Sequence, residues 1–329
     1  MRRFLQRSIV LAFVFLAFLA LAAGISSVRS APLDELRIDW ATYNPVSIVI
    51  RSQGLLEKEF DKDRTKVRWV QTLGSNKALE FLNASSIDFG STAGSAALVA
   101  RINGNPIKSI YVYSRPEWTA LVTRKDTGIT KVADLKGKSV AVTRGTDPHI
   151  FLVRALAEAG LSDKDVKFVL LQHPDGRTAL IRGDVDAWAG LDPMMAAAEL
   201  DDGAVLFFRK PEANTWGILN VREEFANEHP EIVARVLKVY EQARLWSLAN
   251  PKELVKLLAE AAKIPEKVAE KQLTERTELT HSRIGKPQAD SILAAGLALQ
   301  QAGVLPTDVD VRKKVDELID TRFNAALTH

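Results

Sequence analysis

The most informative absence in this sequence of 329 residues is that of cysteine, of which the chain has none. Thiol nucleophiles, cysteine-ligated zinc, iron–sulfur clusters, disulfides and lipid anchors on cysteine are therefore excluded. The chain has five histidines, and no two of them have the spacing of zinc ligands. The composition thus gives no support to thiol chemistry or to a zinc site.

Common catalytic motifs are also missing. The chain has neither a Gly-x-Ser-x-Gly elbow nor a His-Glu-x-x-His zinc motif. Gly137-Lys138-Ser139 resembles the end of a phosphate-binding loop, but that loop needs an earlier glycine at the position of Val132. We therefore predict that the protein is not an enzyme.

The N-terminus has the charge pattern of an export signal. Three arginines within the first seven residues precede an uncharged apolar run over residues 9–23, and small residues follow the run. The apolar run is shorter than the roughly 20 residues that a membrane-spanning helix needs. A retained membrane anchor is the alternative. We expect residues 1–30 to be a signal peptide that is cleaved before Ala31.

Cleavage of that segment changes the charge balance. The segment holds four arginines and no acidic residue, so its removal lowers Lys plus Arg from 44 to 40, against 41 Asp plus Glu. The mature net charge is then about −1, whereas nucleic-acid-binding proteins are usually basic. No nucleic-acid partner is expected, and about 300 mature residues suffice for two lobes or one large domain.

Short apolar segments alternate with helical segments over the first two thirds of the chain. The predicted strands are 36–41, 66–71, 86–91, 107–113, 119–124, 138–143, 166–172 and 184–190. Helices such as 46–60, 77–82 and 93–102 fit between them, which favours parallel sheets with helices on both faces. From Glu223 onward the pattern is almost entirely helical.

One sequence pattern occurs twice. The segments FLNASSIDFGSTAGSAA (81–97) and LIRGDVDAWAGLDPMMA (180–196) share it, with Asp88 matching Asp186. Each segment indicates the end of a helix, a turn, a short strand and the start of the next helix. Two copies of this unit predict two similar lobes that enclose a ligand between the carboxyl ends of their strands.

Four of the predicted strands end in small or polar residues where helices begin. These turns are 42–45, 71–75, 91–95 and 144–147. Helix starts offer unpaired N–H groups and partial positive charge, so several of them can hold an anion without a lysine. Ordinary helix capping is the alternative for each turn. Asp147 would repel an anion, and we expect it to cap its own helix.

Three tryptophans, Trp118, Trp188 and Trp216, lie near predicted strand ends or crossovers. They are candidates for an aromatic wall around the organic part of a ligand, and core packing is the alternative for each. Asp192 precedes Pro193 at the start of the helix that follows Trp188. It can cap that helix, pair with an amine of the ligand or lock the lobes together.

Three segments together resemble the aliphatic sulfonate-binding proteins of bacterial ABC importers, a family close to the taurine and nitrate receptors. They are LEFLNASSIDFGSTAGSAALVARING, TKVADLKGKSVAVTRGTDPHIFLVRALAEAGL and RGDVDAWAGLDPMMAAAE. The combination of ADLKGK, a small-residue helix start and VDAW followed by Asp-Pro is specific. The resemblance covers roughly residues 36–325.

The resemblance implies an α/β fold, that of a type II two-lobed periplasmic binding protein. Each lobe would be a mostly parallel sheet flanked by helices, with a helical C-terminal tail. We expect lobe 1 to comprise residues 31–117 and 219–329, and lobe 2 to comprise residues 118–218. The resemblance also implies no catalysis and no cofactor, and the residues themselves predict no metal site.

The implied function is the capture of aliphatic sulfonates by a monomer in the periplasm. The monomer would deliver them to a permease of the inner membrane and its ATPase. Receptors for taurine, nitrate or a thiamine-type pyrimidine are the alternatives in the same class. An enzyme on the same scaffold, such as a desulfinase, is a further alternative, but relatives of that kind need a cysteine.

In the family, donors at helix starts hold the anion. Carried over residue by residue, this implies binding by Asn44, Gln71, Thr92, Ala93, Gly145, Thr146 and His149. These residues make up the predicted site together with Trp118, Trp188, Trp216 and Asp192. A sulfonate is ionised and only accepts hydrogen bonds, so uncharged donors suffice. Two departures from the family, Ala93-Gly94 and Leu191, concern the ligand tail.

Overall fold

Two mixed β-sheets, each flanked by helices, form the part of the chain that the structure describes. A computed structural model of the protein describes residues 33–327. The predicted signal peptide, residues 1–30, lies outside them. Within the described range, no helix is both long enough and apolar enough to cross a membrane.

The described residues contain eleven strands, several of which end at the turns predicted above. In chain order they are β1 (Glu35–Trp40), β2 (Lys66–Gln71), β3 (Phe89–Ala93), β4 (Ile107–Pro116), β5 (Leu121–Thr123), β6 (Ser139–Val142), β7 (Lys167–Leu170), β8 (Ala187–Ala189), β9 (Val205–Phe208), β10 (Gly217–Arg222) and β11 (Thr277–Glu278).

Thirteen α-helices complete the described part, and several begin with proline in the first turn, where the missing N–H costs nothing. They are α1 (Pro45–Ser52), α2 (Leu55–Phe60), α3 (Ser75–Asn83), α4 (Gly94–Ile102), α5 (Asp147–Glu158), α6 (His173–Arg182), α7 (Met194–Asp202), α8 (Glu223–Glu228), α9 (Pro230–Ala249), α10 (Pro251–Ala262), α11 (Glu266–Glu275), α12 (Lys286–Gln301) and α13 (Val311–Leu318).

The first sheet has six strands in the order β11-β4-β10-β3-β1-β2. Strand β1 pairs in parallel with β2 and β3, and β10 runs antiparallel between β3 and β4. Helices α1 and α9 pack against each other beside this sheet. Its largest buried apolar cluster includes Leu36, Ile38 and Phe89. We call the part of the chain built on this sheet lobe 1.

The second sheet has five strands in the order β7-β6-β8-β5-β9. Strand β6 pairs in parallel with β7 and β8, and β5 runs antiparallel between β8 and β9. One buried apolar cluster of this sheet contains Val140, Phe151 and Leu156, and a second contains Val122 and Trp188. We call this part of the chain lobe 2.

Two chain segments connect the sheets. Residues 117–120 lead from β4 to β5, and residues 209–216 lead back from β9 to β10. We call them the first and the second crossover. The predicted boundary at 117/118 falls in the first crossover, and the boundary at 218/219 falls just inside β10. The domain limits themselves stay predictions.

The repeated sequence pattern corresponds to a repeated structural arrangement. In lobe 1, Asp88 accepts a hydrogen bond from Arg37 N at 3.0 Å, and its own N–H donates to Arg37 O. In lobe 2, Asp186 accepts from Ser139 N at 2.8 Å, and its own N–H donates to Ser139 O. Each aspartate therefore joins its strand to the parallel neighbour, which accounts for its recurrence.

Most of the predicted elements are confirmed, and the tail is helical as expected apart from the short strand β11. The prediction of one helix over residues 46–60 is wrong. Gly54 adopts a left-handed conformation with φ of 60°, which ends α1 and lets α2 begin. Strands β9 and β10 lie in segments for which the apolar pattern predicted no strand.

Candidate functional site

A small cavity lies between the two lobes and is lined by both. We call it the inner cavity. Its accessible volume is about 10 Å³, which is room for about one water molecule. A group larger than a water molecule therefore fits there only if the surrounding residues move apart. The lining residues are Tyr43 and Ser75 of lobe 1 with Trp118, Thr146, Asp147, Pro148, His173 and Leu191 of the first crossover and lobe 2.

A much larger open space, which we call the outer cleft, is also lined by residues of both lobes. Its volume is about 1190 Å³. Trp40, Trp69 and Gln71 belong to its lobe 1 wall, and Pro174 and Met194 to its lobe 2 wall. Each of four chain segments contributes one residue to the inner cavity and a nearby residue to the outer cleft. In each pair below, the first residue lines the inner cavity and the second lines the outer cleft. These pairs are Tyr43 and Thr42, Ser75 and Leu73, His173 and Pro174, and Leu191 and Pro193.

Asp147 connects the two lobes and both crossovers through one buried carboxylate. It accepts hydrogen bonds from Ser95 Oγ at the start of α4 and from Trp118 Nε1 at 2.9 Å in the first crossover. Thr215 in the second crossover donates its N–H at 3.1 Å and its hydroxyl at 2.9 Å. Burial raises the pKa of Asp147, and these four donors act against that shift.

The expectation that Asp147 caps its own helix is wrong. Thr146 is the residue before α5, and the Asp147 carboxylate binds donors outside that helix. The physical reason is the close approach of α4 and the two crossovers, which supply donors that no local pattern reveals.

His173, the first residue of α6, is a buried histidine at the inner cavity with no solvent exposure. Neither of its ring nitrogens has a hydrogen-bond partner among the described residues. Burial lowers its pKa to about 3, so the ring is neutral at physiological pH. Lobe 1 approaches the ring closely, because a side-chain carbon added to Gly74 would lie 3.2 Å from Nε2.

A second buried carboxylate, Asp39, organises the lobe 1 side of the site. It accepts from Thr72 Oγ1 at 2.8 Å, and from Ser91 N at 2.9 Å and Ser91 Oγ at 2.8 Å. Burial raises its pKa to about 6 against the effect of these bonds. Tyr43 Oη contacts Thr72 Oγ1 and donates to Ser91 O, each at 3.1 Å. Asp39 thus fixes the ends of β1, β2 and β3 and, through Tyr43, one wall of the inner cavity.

Arg276 forms a buried ion-pair cluster with lobe 2. Directly after α11, its guanidinium donates to both oxygens of Asp192 at 3.1 and 3.2 Å, and to Glu199 in α7. Asp192 also accepts from Ala196 N at 2.9 Å, so it caps α7 as well. Burial raises the pKa of Asp192 to about 6, and the Arg276 charge acts in the opposite sense. We call this cluster the Arg276 latch.

Several predicted anion donors are engaged with other groups of the protein. Asn44, Thr92 and Ala93 are buried near the ends of strands β1 and β3 but line neither space. The engaged donors are Asn44 Nδ2 to Ser91 Oγ (2.8 Å), Thr92 Oγ1 to Ala93 O (3.0 Å), Ala93 N to Ser75 Oγ (3.0 Å) and Thr146 Oγ1 to Thr143 O (2.7 Å). Ligand binding by these groups stays a prediction.

The three predicted tryptophans lie in different places. Trp118 lines the inner cavity and meets Tyr43 edge-on, with ring centres 6.1 Å apart. Trp188 is fully buried in a core cluster of lobe 2, and Trp216 packs edge-on against His281 at 4.9 Å. Of the three, only Trp118 belongs to the inner cavity or the outer cleft.

The remaining predicted residues are spread around the site. Gln71 is exposed in the outer cleft, and Gly145 lies across from lobe 1, where an added side-chain carbon would be 3.7 Å from Asn76 Cβ. His149 meets the ring of Phe168 edge-on at 6.0 Å, and burial lowers its pKa to about 4. His149 and Gly145 line neither the inner cavity nor the outer cleft.

Sequence reasoning missed His173, although a usable signal was present. The strand predicted over 166–172 is followed directly by His173-Pro174, which matches the pattern of a strand end and a proline in the first helical turn. The same rule that selected the other turns would have selected this one. Among the described residues, no cluster of three or more histidine or acidic side chains is arranged to hold a metal ion.

Comparisons with known proteins agree with this geometry. The family model described as NMT1/THI5 like matches residues 60–254. The alkanesulfonate-binding protein of Xanthomonas axonopodis pv. citri, solved bound to MOPS, is 28% identical and superposes with a TM-score of 0.78. That match covers 86% of this chain and 98% of the other.

Two proteins of Escherichia coli are also similar. The crystal structure of its periplasmic aliphatic sulphonate binding protein gives a TM-score of 0.72 at 27% identity and covers 85% of this chain and 91% of the other. The taurine-binding periplasmic protein of strain K12 is 25% identical in an alignment of 335 positions, which covers 97% of this chain and 98% of that protein. The predicted fold, that of a two-lobed periplasmic binding protein, is confirmed.

Proposed function

Because the chain belongs to the NMT1/THI5-like family, we propose that it captures aliphatic sulfonates between its lobes and delivers them to an ABC importer. The observation that carries the proposal is the inner cavity, which residues of both lobes line. A ligand held there contacts both lobes, so its binding energy favours the closed arrangement.

The sulfonate head group binds in the inner cavity, and the organic tail extends into the outer cleft. The segments that line both spaces support this placement, since each supplies one neighbour to the head and another to the tail. The tail meets apolar surface from Trp40, Trp69 and Met194. Trp118 and Thr146 are the predicted residues that we place beside the head group.

The protein works in the periplasm as a monomer, after cleavage of the signal peptide at residues 1–30. Similarity to periplasmic receptors supports the location. The partner is a permease of the inner membrane with its ATPase, which receives the ligand from the closed receptor. No catalytic step is part of this function.

A thermal-shift screen tests the proposal. Alkanesulfonates of increasing length, taurine, sulfate and nitrate are added to the purified protein in a buffer that is not itself a sulfonate. We expect alkanesulfonates to raise the melting temperature most, since a ligand that binds only the folded state stabilises it. Indifference to every sulfonate would contradict the proposal.

One observation favours a second candidate. The neutral His173 ring at the inner cavity has one nitrogen lone pair without a partner among the described residues. It can accept a hydrogen bond from an amino group, which a thiamine-type pyrimidine carries and a simple alkanesulfonate lacks. An aminopyrimidine therefore belongs in the same screen. A larger shift with it than with any sulfonate would favour this second function. Incubation with sulfonates followed by an assay for sulfite tests the enzymatic alternative.

A further inference from the structure

The groups around the inner cavity pose an electrostatic problem for an anionic ligand. Of the eight lining residues, three titrate, namely Tyr43, Asp147 and His173, and none is lysine or arginine. Asp147 is already a buried carboxylate. A second anion enclosed beside it, without a compensating cation, is strongly disfavoured because both charges have lost their water. A proton taken up together with the ligand would remove this penalty.

Asp147 is a poor place for that proton. Its oxygens accept from Trp118 Nε1 and Thr215 N, two donors that cannot turn into acceptors, and from the Ser95 and Thr215 hydroxyls. A proton on Oδ1 would force the Ser95 or the Thr215 hydroxyl to turn from donor to acceptor, and a proton on Oδ2 would face the two N–H donors. The hydrogen bonds thus favour the charged carboxylate.

His173 is the better place, because its protonation breaks no bond. Both ring nitrogens are without partners among the described residues, and one of them carries a lone pair in the neutral ring. The ring is neutral because its burial lowers its pKa to about 3. An anion enclosed in the same cavity stabilises the cationic form, and the new N–H can donate to it.

We infer that His173 takes a proton from solvent as the sulfonate enters the inner cavity, and that the resulting imidazolium holds the head group. The inference rests on the proposed function and adds to it a residue that recognises the head group and a proton as a second ligand. The reaction balances as receptor plus monoanion plus one proton giving the closed complex, with no other bond made or broken.

The other groups around His173 leave this role to it. Burial raises the pKa of Tyr43 well above its usual value, so that phenol stays neutral. The lobe 1 residue that approaches the ring, Gly74, carries no charge. On α6 itself, Asp175 is exposed to solvent, and Arg177 pairs with Asp202 at 2.6 Å.

Proton uptake can be measured directly by titration calorimetry with ethanesulfonate. The titration is run near pH 7 in cacodylate and in imidazole, two buffers that are not sulfonates and that release very different heats on ionisation. The difference between the two apparent binding heats gives the number of protons exchanged. We expect uptake of about one proton per ligand, and an affinity that weakens about tenfold for each unit of rising pH.

Variants then locate the proton. His173→Gln should abolish the uptake and flatten the pH dependence of the affinity. His281→Gln is the matched control, because His281 is exposed, lies in lobe 1 and pairs with Glu278 at 2.9 Å. It should keep the wild-type uptake. Circular dichroism confirms that each variant is folded.

Two results would overturn the inference. Ethanesulfonate binding by the wild type without proton uptake would exclude a proton as second ligand, whether or not the variants fold. Uptake that persists in His173→Gln would assign the proton to another group. Absence of binding by every sulfonate would instead contradict the proposed function, so the two failures are distinguishable.

Discussion

Trp118 of the first crossover donates a hydrogen bond of 2.9 Å from its indole Nε1 to the carboxylate of Asp147 in lobe 2. Thr215 of the second crossover donates to the same carboxylate, and so does Ser95 of lobe 1. The two segments that must bend when the lobes move are therefore tied to one group. Closure and the position of the crossovers are linked through Asp147.

The bond from Ser95 to Asp147 joins the lobes, so its loss should weaken ligand binding. A hydrogen bond to a charged group contributes about 1.5–3 kcal/mol. Ser95→Ala should therefore raise the dissociation constant for a sulfonate roughly tenfold or more, as measured by calorimetry. Ser247→Ala is the control, because the buried Ser247 donates to Ala243 O within one helix. Equal effects of both variants on affinity would contradict the role assigned to Ser95.

Loss of the Arg276 latch should destabilise the protein strongly. Arg276→Gln leaves the fully buried Asp192 without its cation, and breaking a buried ion pair costs about 3–5 kcal/mol. Urea unfolding should show this loss. Lys256→Gln is the control, since Lys256 pairs with Glu253 at the surface and exposed pairs contribute about 1 kcal/mol or less. A similar small loss in both variants would show that the latch is not stabilising.

His173 should make the free protein less stable in mild acid. Its pKa is about 3 when folded and near 6.5 when unfolded, so the unfolded chain binds the proton more readily between these values. The stabilisation that neutral His173 contributes is thus present above pH 6.5 and is lost as the pH falls below that value. The loss from this group between pH 7 and pH 5 is about 2 kcal/mol.

Comparison with a variant isolates that contribution from other titrating groups. The difference in unfolding free energy between wild type and His173→Asn should shrink by that amount between pH 7 and pH 5. His281→Gln is the control with an exposed histidine, and it should retain the contribution of His173. A wild-type slope in His173→Asn would mean that His173 is not neutral in the folded protein.

Two tryptophans should separate stability from ligand preference. Trp188 is fully buried in lobe 2 against Gly176, so Trp188→Ala should cost about 3–5 kcal/mol and leave the ranking of sulfonates unchanged. Trp69 lies half-buried in the outer cleft, so Trp69→Ala should alter the ranking of tails with a smaller loss of stability. Melting curves with a series of alkanesulfonates measure both quantities. If Trp69→Ala left the ranking of sulfonates unchanged and Trp188→Ala altered it, the proposed tail site would be contradicted.

The sequence predicted the helices and strands better than the candidate site, because helices and strands depend on the pattern of residues that are close together in the chain. Periodicity located most strands and the helical tail, and the match of Asp88 with Asp186 correctly indicated two lobes. The partners of Asp147 and Arg276 come from far along the chain. Ser95 and Asp147 are 52 residues apart in sequence, and Asp192 and Arg276 are 84 apart. Such contacts exist only after the lobes have formed.

Burial was the second property that the sequence did not reveal. Trp118, Trp188 and Trp216 looked equivalent, yet only Trp118 faces the space between the lobes. The hydroxyl of Thr146 looked available but donates to Thr143 O. Whether a polar group is free or engaged depends on neighbours in space, which one-dimensional pattern cannot supply.

The alternation of neighbouring residues between the inner cavity and the outer cleft has a consequence for evolution. Thr42, Leu73, Pro174 and Pro193 face the larger space, while each has a neighbour one or two positions away that faces the smaller one. Mutation at these four positions changes the lining of the space that we propose for the tail and leaves the lining of the inner cavity unchanged. Duplicated copies of such a gene can therefore evolve to bind ligands with new tails while they keep the residues that we propose for binding the shared head group.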